Sequence, residues 1–93
     1  MITSKKVIAA AAKFTGVKPE YIELIKDEGF WYWGGKAGSL FDSCMTYNNL
    51  NDVSLERWAE DFESRVKTCL LSFNAKTMND LIEEIDWNIE YDK

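Results

Sequence analysis

The groups with which this chain could do chemistry are sixteen carboxylates and two cysteines, with no histidine. Histidine is the side chain most often used for proton transfer near neutral pH and the commonest metal ligand. Without it Cys44 and Cys69 have no imidazole to activate them, and two thiols alone do not complete a structural zinc site. Both are read as reduced, buried packing residues, because one bridge is not a disulfide framework. Neighbouring acids such as Glu60 with Asp61, or Glu83 with Glu84, point to different sides of a helix, and a solvated face explains them. A paired-carboxylate glycosidase needs two acids facing each other across a cleft, for which a 93-residue chain leaves little room. Asn48, Asn49, Asn51 and Asp52 resemble a calcium loop in composition alone, without the EF-hand spacing. Gly35-Lys36 and Gly38-Ser39 echo a phosphate-binding loop, but the G-x-x-x-x-G-K-[ST] spacing is missing. No catalytic residue, metal site or cofactor is predicted, and the chain is not expected to be an enzyme.

Charge narrows the partners. Residues 1–51 hold five acids against six lysines, whereas residues 52–93 hold eleven acids against five bases, which gives the net charge of −5. Such a surface disfavours direct contact with nucleic-acid phosphates or anionic membranes and suits a basic partner. The opening Met1–Lys6 and the short apolar run Val7–Ala12, stopped by Lys13, form neither a signal peptide nor a membrane span, so a cytoplasmic location is expected. With 46% hydrophobic residues, the chain can bury enough surface to offset its ordering entropy, and a single globular domain over residues 1–93 is expected.

The elements follow from periodicity. Thr3 or Ser4 caps a helix over about 4–14, ended by Gly16. Pro19 and the spacing of Tyr21, Leu24 and Ile25 predict a short helix over about 19–26, with a strand over 21–26 as the alternative. Phe30–Trp33 and Leu40–Tyr47 read as a hairpin over about 30–47 with Gly34–Ser39 as its loop, Trp33 being placed opposite Leu40. Ser54 caps the clearest helix, about 55–72, whose apolar stripe runs from Leu55 through Trp58, Ala59, Phe62, Val66, Cys69 and Leu70 to Phe73. Thr77 opens another over about 78–85, and the alternation of Ile85, Trp87, Ile89 and Tyr91 predicts a third strand over 85–91, a continued helix being the alternative. The fold class expected is α+β, a small antiparallel sheet packed against three or four helices.

The aromatic block Phe30-Trp31-Tyr32-Trp33 puts aromatic rings on both faces of its strand. Helices can cover one face; the other must be covered by the C-terminal segment, a second copy of the chain or a partner. In the register chosen, Trp31 and Trp33 share the less apolar face with Asp42 and Cys44, and a slip of one residue reverses the assignment. Tryptophan is a favoured interface anchor, so Trp31, Trp33 and Asp42, with Glu60 and Glu63 on the acidic helix, are the expected partner-binding residues.

Short, acidic, rich in aromatics and asparagine and without catalytic residues, the chain is similar in style to accessory proteins of phages and other mobile elements. That likeness implies stoichiometric binding to another protein, as an inhibitor or modulator of a host system. Two other functions fit the composition. One is a small-ligand-binding domain with its pocket between hairpin and helices. The other is an acidic mimic of DNA that occupies a nucleic-acid-binding protein and releases it as salt rises.

Overall fold

Capping sets the helices. In the computed structural model, which describes residues 1–85 and 87, Thr3 Oγ1 accepts from the Lys6 N–H at 3.2 Å and opens α1, Ser4–Thr15. Gly16 closes it at φ 81, where its N–H reaches Ala12 O at 2.8 Å. Ser54 Oγ likewise accepts from the Arg57 N–H at 3.1 Å and opens α3, Leu55–Phe73. Thr77 Oγ1 accepts from the Asp80 N–H at 3.1 Å and opens α4, Met78–Glu84. These three helices lie where their periodicity places them, and the fold is α+β, with an antiparallel pair of strands and four α-helices among the described residues.

The segment after Pro19 differs from the expected helix over 19–26. One turn of 3-10 helix, Pro19–Tyr21, gives way at Ile22 (φ −114, ψ 127) to strand β1, Glu23–Asp27. Ile22 and Leu24 are buried with Glu23 exposed between them. That alternation puts both apolar side chains on the core, and β-branched Ile22 and Ile25 favour an extended backbone.

The hairpin is also relocated. Strand β2, Phe30–Gly34, pairs antiparallel with β1 in the register Glu23↔Gly34, Leu24↔Trp33, Ile25↔Tyr32, Lys26↔Trp31 and Asp27↔Phe30. The connection is Glu28-Gly29, with Gly29 at φ 83. A short local connection costs less closure entropy than the expected Gly34–Ser39 loop. Gly35–Gly38 instead forms the one-turn helix α2. Residues 40–47 are not a full strand, yet they run beside β2: Trp31 N–H donates to Tyr47 O, Thr46 N–H to Trp31 O and Trp33 N–H to Cys44 O, each at 2.9 Å, and Tyr32 bridges Met45. Trp33 thus lies opposite Leu24 and Cys44, not Leu40. Of the expected third strand over 85–91, residues 86 and 88–91 lie outside the described residues; Ile85 leaves α4 with an extended backbone.

The core fills the space between the hairpin and the helices. Trp33, Trp58, Phe62, Ile82 and Val7 are its largest fully buried side chains, and the Trp33 ring meets Phe62 at 4.7 Å and Trp58 at 5.9 Å, edge to face. Helix α1 packs along α3, with Val7 and Ala11 fully buried. Among the described residues no helix is long and apolar enough to cross a membrane.

Candidate functional site

The pairing register sorts the sheet into two faces, since directly opposed residues share a side. Leu24, Lys26, Trp31 and Trp33 lie on the side of the helices. Glu23, Ile25, Asp27, Phe30, Tyr32 and Gly34 lie on the outer side, and the bridge between Tyr32 and Met45 brings Met45 to them. Phe30 and Tyr32 stand ring to ring at 6.2 Å, and the Ile25 side chain lies across Gly34, leaving no room there for a Cβ. Among the described residues, the partly buried side chains that pack against the core do not include Ile25, Phe30 or Tyr32, and Met45 is 58% exposed. The outer face therefore carries an apolar strip outside the core cluster, in which Ile25, Phe30 and Tyr32 are half-buried and Met45 is exposed.

Its near charges are of one sign. Glu23 and Asp27 are exposed on this face and Glu28 is exposed in the turn beside it. Lys26 is directed to the helical side, where its ammonium lies 5.4 Å from the Trp31 ring centroid and donates to Asn48 O at 3.2 Å.

Behind the face a polar network ties β2 and the segment beside it to α3. Asp61 Oδ2 accepts from Trp33 Nε1–H at 2.9 Å and from Arg65 Nε–H at 2.8 Å. The same guanidinium donates to Met45 O at 2.7 Å and to Ser43 O, so α3 grips both β2 and the segment beside it.

The expected partner-binding residues are not brought together. Trp33 is 1% exposed and belongs to the core, which corrects its assignment to an open face. Trp31 is half-buried on the helical side beneath Lys26. Asp42 is exposed and lines a small cleft with Phe41, Ser43 and Arg65. Glu60 and Glu63 sit on α3, paired with Arg57 at 3.4 Å and Lys67 at 3.7 Å, and not on the sheet that carries the strip. Sequence reasoning missed Ile25, Phe30, Tyr32 and Met45. The signal was the Asp27-Glu28-Gly29 turn: read as a two-residue hairpin connection, it would have set the register that turns Phe30 and Tyr32 outward.

Lys18, Tyr21 and Glu83 form a surface cluster in which Glu83 Oε2 accepts from Lys18 Nζ at 2.8 Å and from Tyr21 OH at 3.0 Å. These bonds hold the Glu83 carboxyl below its ordinary range and push Lys18 and Tyr21 above theirs, so each group is fixed more firmly in its neutral-pH form. Burial, then the Asp42 charge, raises the Cys69 thiol, which makes it a poorer nucleophile. Both cysteines are free. Phe14, Leu71 and Phe73 are exposed at helix ends, and a cleft of about 440 Å³ runs beside Phe14 between α1 and α3. Unlike the strip, these residues are not joined by a common face.

No family model, curated protein or solved structure matches this chain.

Proposed function

We propose that this protein acts without catalysis, by stoichiometric binding to another protein through the outer face of its sheet. The observation that carries the reading is the strip Ile25, Phe30, Tyr32 and Met45, apolar, outside the core and bordered by Glu23, Asp27 and Glu28. Contiguous exposed apolar surface with a polar rim is characteristic of protein interfaces, and tyrosine combines large contact area with a hydroxyl handle. The matching surface is an apolar patch ringed by lysine and arginine, because Glu23, Asp27 and Glu28 stand exposed beside the strip and the chain carries a net charge of −5. On this reading the protein is a small cytoplasmic accessory factor, of the kind phages and other mobile elements encode, that inhibits or modulates a host protein by occupying it.

The experiment compares three forms of the full chain in affinity capture from a host lysate: wild type, Tyr32→Glu, and Phe73→Glu as a control on the helical side. Circular dichroism confirms that each is folded. The expected outcome is a protein captured by wild type and Phe73→Glu and lost with Tyr32→Glu. Capture unaffected by Tyr32→Glu would remove the strip from the interface, and concentration-dependent dimerisation that Tyr32→Glu abolishes would identify the occupant as a second copy.

A further inference from the structure

Beside the strip the sheet has an open edge. In a strand the N–H and C=O of one residue point to the same side, and successive residues alternate. Trp31 and Trp33 direct theirs to the segment at 44–47, so Phe30, Tyr32 and Gly34 direct theirs to β1, meeting Asp27, Ile25 and Glu23. Leu24 and Lys26 must then direct theirs outward, along the far edge of β1. Among the described residues neither has a backbone partner on that side. The edge thus carries two N–H and two C=O groups without a protein partner, in strand spacing roughly 7 Å apart, on exposed Lys26 and on Leu24, which is 8% exposed.

Charge selects the occupant. If a second copy paired with this edge antiparallel about Ile25, Glu23 would lie directly opposite the copy's Asp27 on the same face, and the reverse pair would repeat the clash. Like charges in directly opposed positions are destabilising. Pairing about Leu24 instead would set Ile25 against a carboxylate. A strand with lysine or arginine opposite Glu23 and Asp27, and an apolar residue opposite Ile25, satisfies all three positions and continues the Ile25–Tyr32 row outward.

We propose that the outer edge of β1 accepts an extended basic segment of a partner protein by strand addition, with Lys or Arg opposite Glu23 and Asp27 and an apolar side chain opposite Ile25. This rests on the binding role proposed above and specifies its partner as a basic, strand-forming peptide, held by main-chain bonds along the edge and by side chains over the strip.

The probe is a short synthetic peptide alternating threonine with arginine, valine and arginine, titrated into the full chain and followed by amide NMR and hydrogen exchange. The expected result is saturable binding with new protection of the Leu24 and Lys26 amides. Replacing both arginines by glutamate is expected to lower affinity about tenfold, from two cross-strand pairs changed in sign. The double variant Glu23→Lys with Asp27→Lys is expected to reverse that preference. Methylating the peptide nitrogens that face Leu24 and Lys26 is expected to abolish binding. The proposal is overturned if the basic peptide does not bind, if the methylated peptide binds equally well, or if these amides become protected by self-association without peptide. If the methylated peptide binds and Tyr32→Glu still abolishes capture, strand addition fails and the face-on role stands. If the basic peptide protects the edge while capture ignores Tyr32→Glu, the reverse holds.

Discussion

The Trp33 indole N–H donates to Asp61 Oδ2 at 2.9 Å, and that oxygen also accepts from Arg65 at 2.8 Å. One carboxylate thereby satisfies the polar atom of the most buried aromatic in the hairpin and orients the guanidinium that holds Met45 O and Ser43 O. Asp61→Ala leaves the indole N–H without a partner in the core and Arg65 without its counter-charge. The expected loss is about 2 to 4 kcal/mol, below that of a fully buried ion pair because the Asp61 and Arg65 side chains are about one-fifth exposed. Glu60→Ala, one residue away in an exposed pair with Arg57, should cost less than about 0.5 kcal/mol. Urea denaturation measures both, and equal losses would remove Asp61 from its bridging role.

Two glycines separate conformational strain from crowding. Gly16 closes α1 at φ 81, and a Cβ there would meet nothing within 4 Å, so Gly16→Ala should cost about 1 to 2 kcal/mol, the left-handed penalty alone. Gly38 has no such φ, yet a Cβ on it would fall 2.5 Å from Trp33 O. Helix α2 must then lift off the strand that carries the core tryptophan, and Gly38→Ala should cost about 3 kcal/mol or more. Thermal melts that ranked Gly16→Ala as the more damaging change would show that α2 yields easily.

The difference between the legible and illegible parts of the chain has a physical source. Helices α1, α3 and α4 are specified by local signals: a hydroxyl cap at Thr3, Ser54 or Thr77, a 3.6-residue apolar period, and a left-handed stop at Gly16 or Asn74. Strand partners are not local. The run Tyr21–Lys26 satisfies a helical template through Tyr21, Leu24 and Ile25 and a strand template through Ile22 and Leu24, and its pairing with Phe30–Gly34 decides between them. Because the side-chain period of a strand is two and Leu40 and Cys44 lie four residues apart, Trp31 and Trp33 share a face in both registers; what changed is which face turns inward, since Leu24, the buried partner of Trp33, lay in a run expected to be helical. That one aromatic face of the block should lie outside the core was legible; that it carries Tyr32, and not Trp33, was not.

Thiol chemistry gives a direct check on the two cysteines. Cys69 is 4% exposed, its Sγ lies 3.6 Å from Leu40 O, and burial with the Asp42 charge raises its thiol. Cys44 is half-buried in the segment beside β2. Under native conditions iodoacetamide should alkylate Cys44 first, while Cys69 reacts at the rate of protein opening and accelerates in urea. Mass-spectrometric mapping that found Cys69 modified first would contradict this packing of α3 against residues 40–44.

The Lys18–Tyr21–Glu83 cluster predicts how stability changes with pH. Hydrogen bonds from Lys18 and then Tyr21 depress the Glu83 carboxyl in the folded chain. Glu83 therefore contributes stability that is fully present above the ordinary glutamate range and is lost as pH falls through its lower folded value. Lys18 and Tyr21 are raised, each chiefly by its hydrogen bond to Glu83, so their contribution is fully present below their ordinary ranges and lost as pH rises through the higher folded values. Glu83→Gln removes the charge on which all three shifts depend. The difference in melting temperature between wild type and Glu83→Gln should be largest across neutral pH and should shrink at both the acidic and the alkaline ends. The Lys18 and Glu83 side chains are about half exposed, so the plateau should be small and should diminish as salt screens the pair. Parallel melting curves at every pH would mean that the ion pair joining the α1–β1 connection to α4 contributes nothing, leaving Asn79, which accepts from the Lys18 N–H at 3.0 Å and donates to Gly16 O at 2.9 Å, as the tether between them.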